Sequence, residues 1–204
     1  EAISFFKEKD LRELLTMHIN NPVSEIDKVE GKGALNFLDI DDLSIIEEGE
    51  TISPETIIEM DFFNNTPVFP KIESSCEDPF LKKIHRGQKK WVILTDKEGV
   101  PKLTLDSNSF LRTALFEKTV MNPLAFCHRP IIIYDSGTPL GEAIVQLNVN
   151  SERHGDDVID NDVIIFWGDQ KRVITGSDIL GRLLRGIVQN KNTSISNDKK
   201  NELA

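Results

Sequence analysis

Apolar residues recur at Ile3, Phe6, Leu11, Leu14 and Leu15, with charges between them. That spacing predicts an amphipathic helix over 2–17. It opens abruptly at the first residue, so the chain reads as a fragment of a longer protein. A second helical stretch is expected over roughly 23–38. Extended structure follows around Ile45 and again at "TPVFP", 66–70.

From residue 75 the pattern changes. "SCEDPFLKKIHRG" predicts a short helix with Asp78 as N-cap, Pro79 at the first helical position and Gly87 as stop. "KKWVILTDKEGVPKLTL" reads as a hairpin: an apolar strand (91–95), an acidic turn with glycine (96–99) and a second strand (102–105). "NSFLRTALF" returns to helical spacing. The same order then recurs. "RPIIIYDSGTPLGEAIVQLNV" predicts a strand and a helix with Thr138 as N-cap and Pro139 at the first helical position. "DVIIFWGDQKRVITGSD" is a second hairpin, with strands at 163–167 and 172–175 about a turn at 168–170. "ILGRLLRGIV" closes it as a helix with a broad apolar stripe. The chain therefore carries two copies of one unit, about 70 residues apart. The segment from 190 to 204 is polar and is expected to be a disordered tail.

Composition narrows the classes. The 204 residues are 39% hydrophobic and 28% charged, which suits a soluble globular chain with a real core. No window approaches the roughly 20 apolar residues a membrane span needs. The start has neither the basic region nor the cleavage site of a signal peptide. Two cysteines, Cys76 and Cys127, make no disulfide framework and point to a reducing, cytosolic setting. A net charge of −10 argues against nucleic acid or an anionic membrane surface as main partner. Residues 39–61 hold nine carboxylates and no Lys or Arg, and a second acidic cluster lies at 152–162. Both read as a solvated surface or as a cation-responsive one, and neither fits the Ca²⁺ loop pattern.

Catalytic chemistry finds no support. The histidines (His18, His85, His128, His154) have no metal-ligand spacing. Cys127 and His128 are neighbours on an expected strand and point to opposite faces, which excludes a Cys–His pair there. No nucleophile elbow, P-loop or dinucleotide fingerprint occurs. Neither a catalytic residue nor a metal ligand is assigned, and the chain is not expected to be an enzyme. Trp91 and Trp167 hold equivalent places in the two hairpins and read as core or interface residues.

One stretch stands out, "RVITGSD" at 172–178. Thr175 suits an N-cap and Asp178 the third helical position, as in a capping box. The same atoms suit an anion or a nucleoside. The N–H groups of a helix start attract a phosphate. The hydroxyls of Thr175 and Ser177 add hydrogen bonds, and the Asp178 carboxylate accepts from a ribose. Local helix chemistry accounts for every residue, so cap and site both stand at this stage. The first copy places Asp106 opposite Thr175 and Ser109 opposite Asp178, so it lacks the carboxylate.

A repeated unit whose hairpin ends in apolar-apolar-Thr-x-Ser-Asp before a helix resembles a CBS domain. The likeness runs over about 66–189. It implies an α+β fold: a tandem CBS pair of β-α-β-β-α units preceded by an N-terminal helical segment. The parts would be a helical segment at 1–38, an acidic linker at 39–65, a first CBS domain at 66–127 and a second at 128–189. "GALNFLDIDDLSIIEEGETISPETIIEMD" resembles the linker joining the membrane domain to the CBS pair in magnesium transporters of the cyclin M and CorC class. The resemblance implies a regulatory module on the cytoplasmic side of the membrane, attached to a transmembrane domain and paired as a homodimer. It implies an adenine nucleotide (AMP, ADP or ATP), with Mg²⁺ as companion, held by Thr175, Ser177 and Asp178. Ile131, Ile133 and Ile165 would wall the adenine. Many nucleotide-binding copies have Gly at the place of Arg172, so Arg172 is expected either to reach a phosphate or to crowd the cleft. The alternative implication is a structural dimerisation module with a vestigial, empty cleft.

Overall fold

A computed structural model describes residues 7–117, 121–148 and 158–188. The helix start at 2–6, most of the 152–162 cluster and the 190–204 tail lie outside them. The chain divides into two bodies, one holding residues up to 41 together with those from 180 on, the other spanning 42–179.

The first body is helical. α1 (Glu8–Ile19) and α2 (Lys28–Asp41) occupy the two stretches that the apolar spacing predicts. α2 starts at 28 rather than 23 for a local reason. Asp27 accepts from the N–H groups of Val29 and Glu30, while Glu30 accepts from that of Asp27. This capping box fixes the first turn. The helices pack closely: a Cβ on Gly31 would lie 2.3 Å from the Ile19 side chain. Arg12 bridges Glu8 on α1 and Asp39 on α2.

The second body contains both repeats. Its first stretch holds a 3₁₀ turn at Ile45–Glu47 and β1 (Glu50–Thr51). Ile45 is therefore not extended: its N–H bonds to the Thr138 carbonyl and its side chain is fully buried. The first repeat runs β2 (Ile57–Glu59), α3 (Pro79–Arg86), β5 (Trp91–Thr95), β6 (Pro101–Asp106) and α4 (Ser107–Phe116). A small hairpin, β3 (Phe62–Phe63) and β4 (Thr66–Pro67), intervenes. It turns through Asn64 and Asn65, both at positive φ, as a two-residue hairpin turn requires. The second repeat runs β7 (Cys127–Ile133), α5 (Leu140–Ile144), β8 (Ile159–Phe166), β9 (Arg172–Thr175) and α6 (Gly176–Leu183).

The strand pairing repeats with the sequence. β2 lies parallel to β5 and β5 antiparallel to β6; β7 lies parallel to β8 and β8 antiparallel to β9. The β6–β7 pairing joins the copies into one seven-stranded sheet, ordered β1-β9-β8-β7-β6-β5-β2. Its edge strands, β1 and β2, are separated along the chain only by residues 52–56. The short link brings the two edges together, so the sheet curls. The inner face carries Ile52, Ile93, Val163, Ile165 and Val173 from across the sheet, with Trp91 and Trp167 packed against them. The outer face of the first repeat packs Leu94, Leu105 and Cys127 against Leu81 and Ile84 of α3 and Phe110 of α4.

Asp78 caps α3 as its sequence predicts, accepting from the N–H groups of Phe80 and Leu81. Thr138 does not cap α5. Pro139 is still extended there, bridged to Ser44, and the Leu140 N–H bonds to the Leu43 carbonyl, so the helix starts one residue late. α6 stops at Leu183, short of the predicted stripe through Val188. The buried amide of Asn36 donates to the carbonyls of Leu183 and Arg185, and Gly186 turns the chain at φ +73.

Candidate functional site

β9 ends and α6 begins at Thr175–Gly176. Asp178 folds back on this junction. Its Oδ2 accepts from the Thr175 N–H at 2.8 Å and from the Thr175 hydroxyl at 2.7 Å. Both bonds fall on one oxygen, and Oδ1 has no partner among the described residues. Ser177 is exposed, and the space beside the Gly176 Cα is open to 4 Å. The first turn of α6 leaves its N–H groups without intrahelical acceptors. The junction thus presents N–H donors, one free hydroxyl and one free carboxylate oxygen. A phosphate suits the donors, and a vicinal diol suits the carboxylate.

The wall residues divide between two faces. In register, Val163 lies opposite Thr175 and Ile165 opposite Val173, so Ile165 shares the inner face with Thr175. Ile131 lies opposite Ile164 and Ile133 opposite Phe166, which in turn faces Arg172. Ile131, Ile133 and Arg172 therefore share the outer face. Ile131 and Ile165 are buried and Ile133 is half-buried. The structure brings Asp178 onto Thr175, which shares the inner face with Ile165, and puts Ile131, Ile133 and Arg172 on the other face; Ser177 lies exposed in the first turn of α6.

Arg172 turns to the backbone of residues 48–49. Its Nη1 donates to the Gly49 carbonyl at 2.9 Å and the Glu48 carbonyl at 3.4 Å, and its Nε is buried with no partner among the described residues.

Sequence reasoning missed a second group at the same end of the sheet. His128 Nδ1 lies 2.8 Å from Asp162 Oδ2, and the His128 ring packs edge-on against Trp91. Arg129 pairs with Asp160 at 2.8 Å. The signal was present: β7 and β8 are parallel neighbours in a β-α-β unit, so residues near their starts meet. His128 faces inward while Cys127 is buried in the outer cluster, as strand alternation predicts. Burial pushes the Cys127 thiol up to about 12, so the sulfur is inert.

The equivalent junction of the first repeat is capped by a different residue. Asp106 accepts from the N–H groups of Asn108 and Ser109, and the Ser107 hydroxyl donates to the Lys89 carbonyl. No carboxylate stands three residues on, since that place is Ser109.

Two β-α-β-β-α units sharing a curled sheet, each closed by a helix that starts at the end of its hairpin, define the fold of a tandem CBS pair. No family model and no curated protein matches the chain. Among solved structures it is similar to the CBS domain of the bacterial CNNM/CorC family Mg²⁺ transporter, at a TM-score of 0.55 and 10% identity, covering 91% of this chain and all of that one. The same domain in complex with the inhibitor IGN95a matches at a TM-score of 0.54 and 10% identity, over 90% of this chain and all of that one. At that identity the likeness shows the fold. No helix among the described residues is long and apolar enough to cross a membrane.

Proposed function

We propose that the chain is a regulatory module that senses an adenine nucleotide, and that its one nucleotide site is the β9–α6 junction. The observation that carries this is the asymmetry of the repeats. Both junctions start a helix, and capping satisfies both. Only the second puts a carboxylate at the third helical position, Asp178, bonded back to Thr175 and preceded by an exposed hydroxyl at Ser177; the first has Ser109 and Asn108 in those places. In this reading the first-turn N–H groups and Ser177 hold phosphate, and Asp178 Oδ1 accepts from the ribose. Ile165 and its inner-face neighbours flank the base. AMP, ADP and ATP all fit the chemistry, and Mg²⁺ would enter with the phosphates of ATP. The module would act on a transmembrane domain of the same protein, from the cytoplasmic side and as a homodimer. For a sensor, the ligand must bind one conformation better than the other.

The Thr175–Asp178 bonds are also what a dimerisation module with an empty cleft would show. Calorimetry with AMP, ADP and ATP, each with and without Mg²⁺, separates the two. The wild type is expected to bind at least one nucleotide below millimolar concentration, and Asp178→Ala to lose it while staying folded. Absence of heat from the wild type at millimolar nucleotide overturns the sensing reading and leaves the structural one.

A further inference from the structure

Arg172 is the pin of something. Residues 43–52 run across the second repeat as a strap. The Leu43 carbonyl accepts from the Leu140 N–H, the Ser44 hydroxyl donates to the Ser136 carbonyl, and the Ile45 N–H donates to the Thr138 carbonyl. The strap then drops onto β9 as β1, with Glu50 opposite Val173 and Thr51 opposite Arg172. Gly49 permits the approach. It sits at φ +75, and a Cβ there would lie 2.3 Å from the Val173 carbonyl oxygen. Arg172 clamps the strap by two carbonyls, those of Glu48 and Gly49.

The β1 end of the strap is lightly held, while Ile45 anchors the other end in full burial. β1 is two residues long, so it adds little backbone pairing. The strap also helps bury an Arg Nε–H that has no acceptor among the described residues, and a buried unpaired donor opposes the closed state. A short strand that covers an unsatisfied charge-bearing group belongs to the low-stability end of a fold, where local opening occurs without global unfolding.

The strap also adjoins the candidate site by two routes. Arg172 and Thr175 are the first and last residues of β9. The next strap residue, Ile52, packs in the inner cluster with Val173 and Val163, and Val163 is the register partner of Thr175. Beyond residue 56 the chain enters β2, the opposite edge of the sheet, and Glu50 pairs with Lys89 just before β5. Release of the strap would therefore change how the two repeats meet.

We propose that residues 48–52 form the releasable end of this strap, pinned by Arg172, whose closure is coupled to occupancy of the β9–α6 junction. The coupling rests on the nucleotide reading above; the pin does not. Hydrogen exchange of the whole chain, followed by mass spectrometry, tests both. In the absence of nucleotide, amides at 50–52 should exchange faster than those of β8 in wild type. Arg172→Gln should speed the strap at least ten-fold while β5 and β6 stay unchanged. Strap protection equal to that of β8 in wild type, or unmoved by Arg172→Gln, overturns the pin; the wild-type comparison decides even if the variant does not fold. With a nucleotide shown by calorimetry to bind, strap exchange should slow several-fold. Arg172→Gln should then weaken binding by a similar factor, because coupling is reciprocal. Binding that leaves strap exchange unchanged overturns the coupling. Absence of binding overturns the nucleotide reading and the coupling with it, while the nucleotide-free comparison still decides the pin.

Discussion

Three backbone N–H groups, those of Glu73, Phe80 and Leu81, converge on the Asp78 carboxylate. Burial pushes its pKa up, but the bonds from Glu73, Leu81 and Phe80 outweigh that and hold it below the usual carboxylate value. A depressed folded value stabilises above the unfolded pKa of about 3.9 and loses that contribution as pH falls through the folded one. Asp78→Ala should therefore cost about 1–2 kcal/mol at pH 7 in a urea titration, and less at pH 3. Cys127 works with the opposite sign. Its thiol is raised by burial, so stability should fall as pH rises from about 9 towards 12. A native thiol titration at pH 8 should find only the exposed Cys76, with Cys127 appearing in denaturant. Two fast thiols in the native state would contradict the buried placement.

At the scale of elements, the parts that could be read from sequence were those with local causes. Asp78, Pro79 and Gly87 bound α3 because capping is settled within a few residues. The hairpins at 91–106 and 163–175 follow from short apolar runs about turn residues. Ile45 and Thr138 were misplaced because each answers to the other's segment, some 95 residues away, and no local pattern records that pairing. The end of α6 is likewise set from a distance by Asn36. Asn36→Ala leaves two carbonyls without their donor and should cost about 1–3 kcal/mol. Hydrogen exchange at 180–188 checks it: faster exchange is expected, and unchanged protection would show that the amide is dispensable.

At the scale of the molecule, the internal repeat carried the fold, because two copies of one order of elements imply two copies of one unit. The site was legible only in part. "RVITGSD" named the junction, but not the faces of the sheet around it. Those depend on which face of each strand is the inner one, which is settled by how the two repeats share one sheet. Ile131 and Ile133 follow Cys127 onto the outer face by simple alternation along β7, while Thr175 alternates with Val173 onto the inner one. From the sequence, Arg172 is expected either to reach a phosphate or to crowd the cleft, because many nucleotide-binding copies have Gly at its place. The separation of three residues along β9 decides otherwise, since an odd separation puts Arg172 and Thr175 on opposite faces.

One nucleotide site per chain, built by the second repeat alone, has a direct signature. Titration calorimetry of the preferred nucleotide measures it directly through stoichiometry. The expected result is one ligand per chain, kept in Ser109→Ala and lost in Asp178→Ala. Two ligands per chain, or wild-type affinity in Asp178→Ala, would contradict the account.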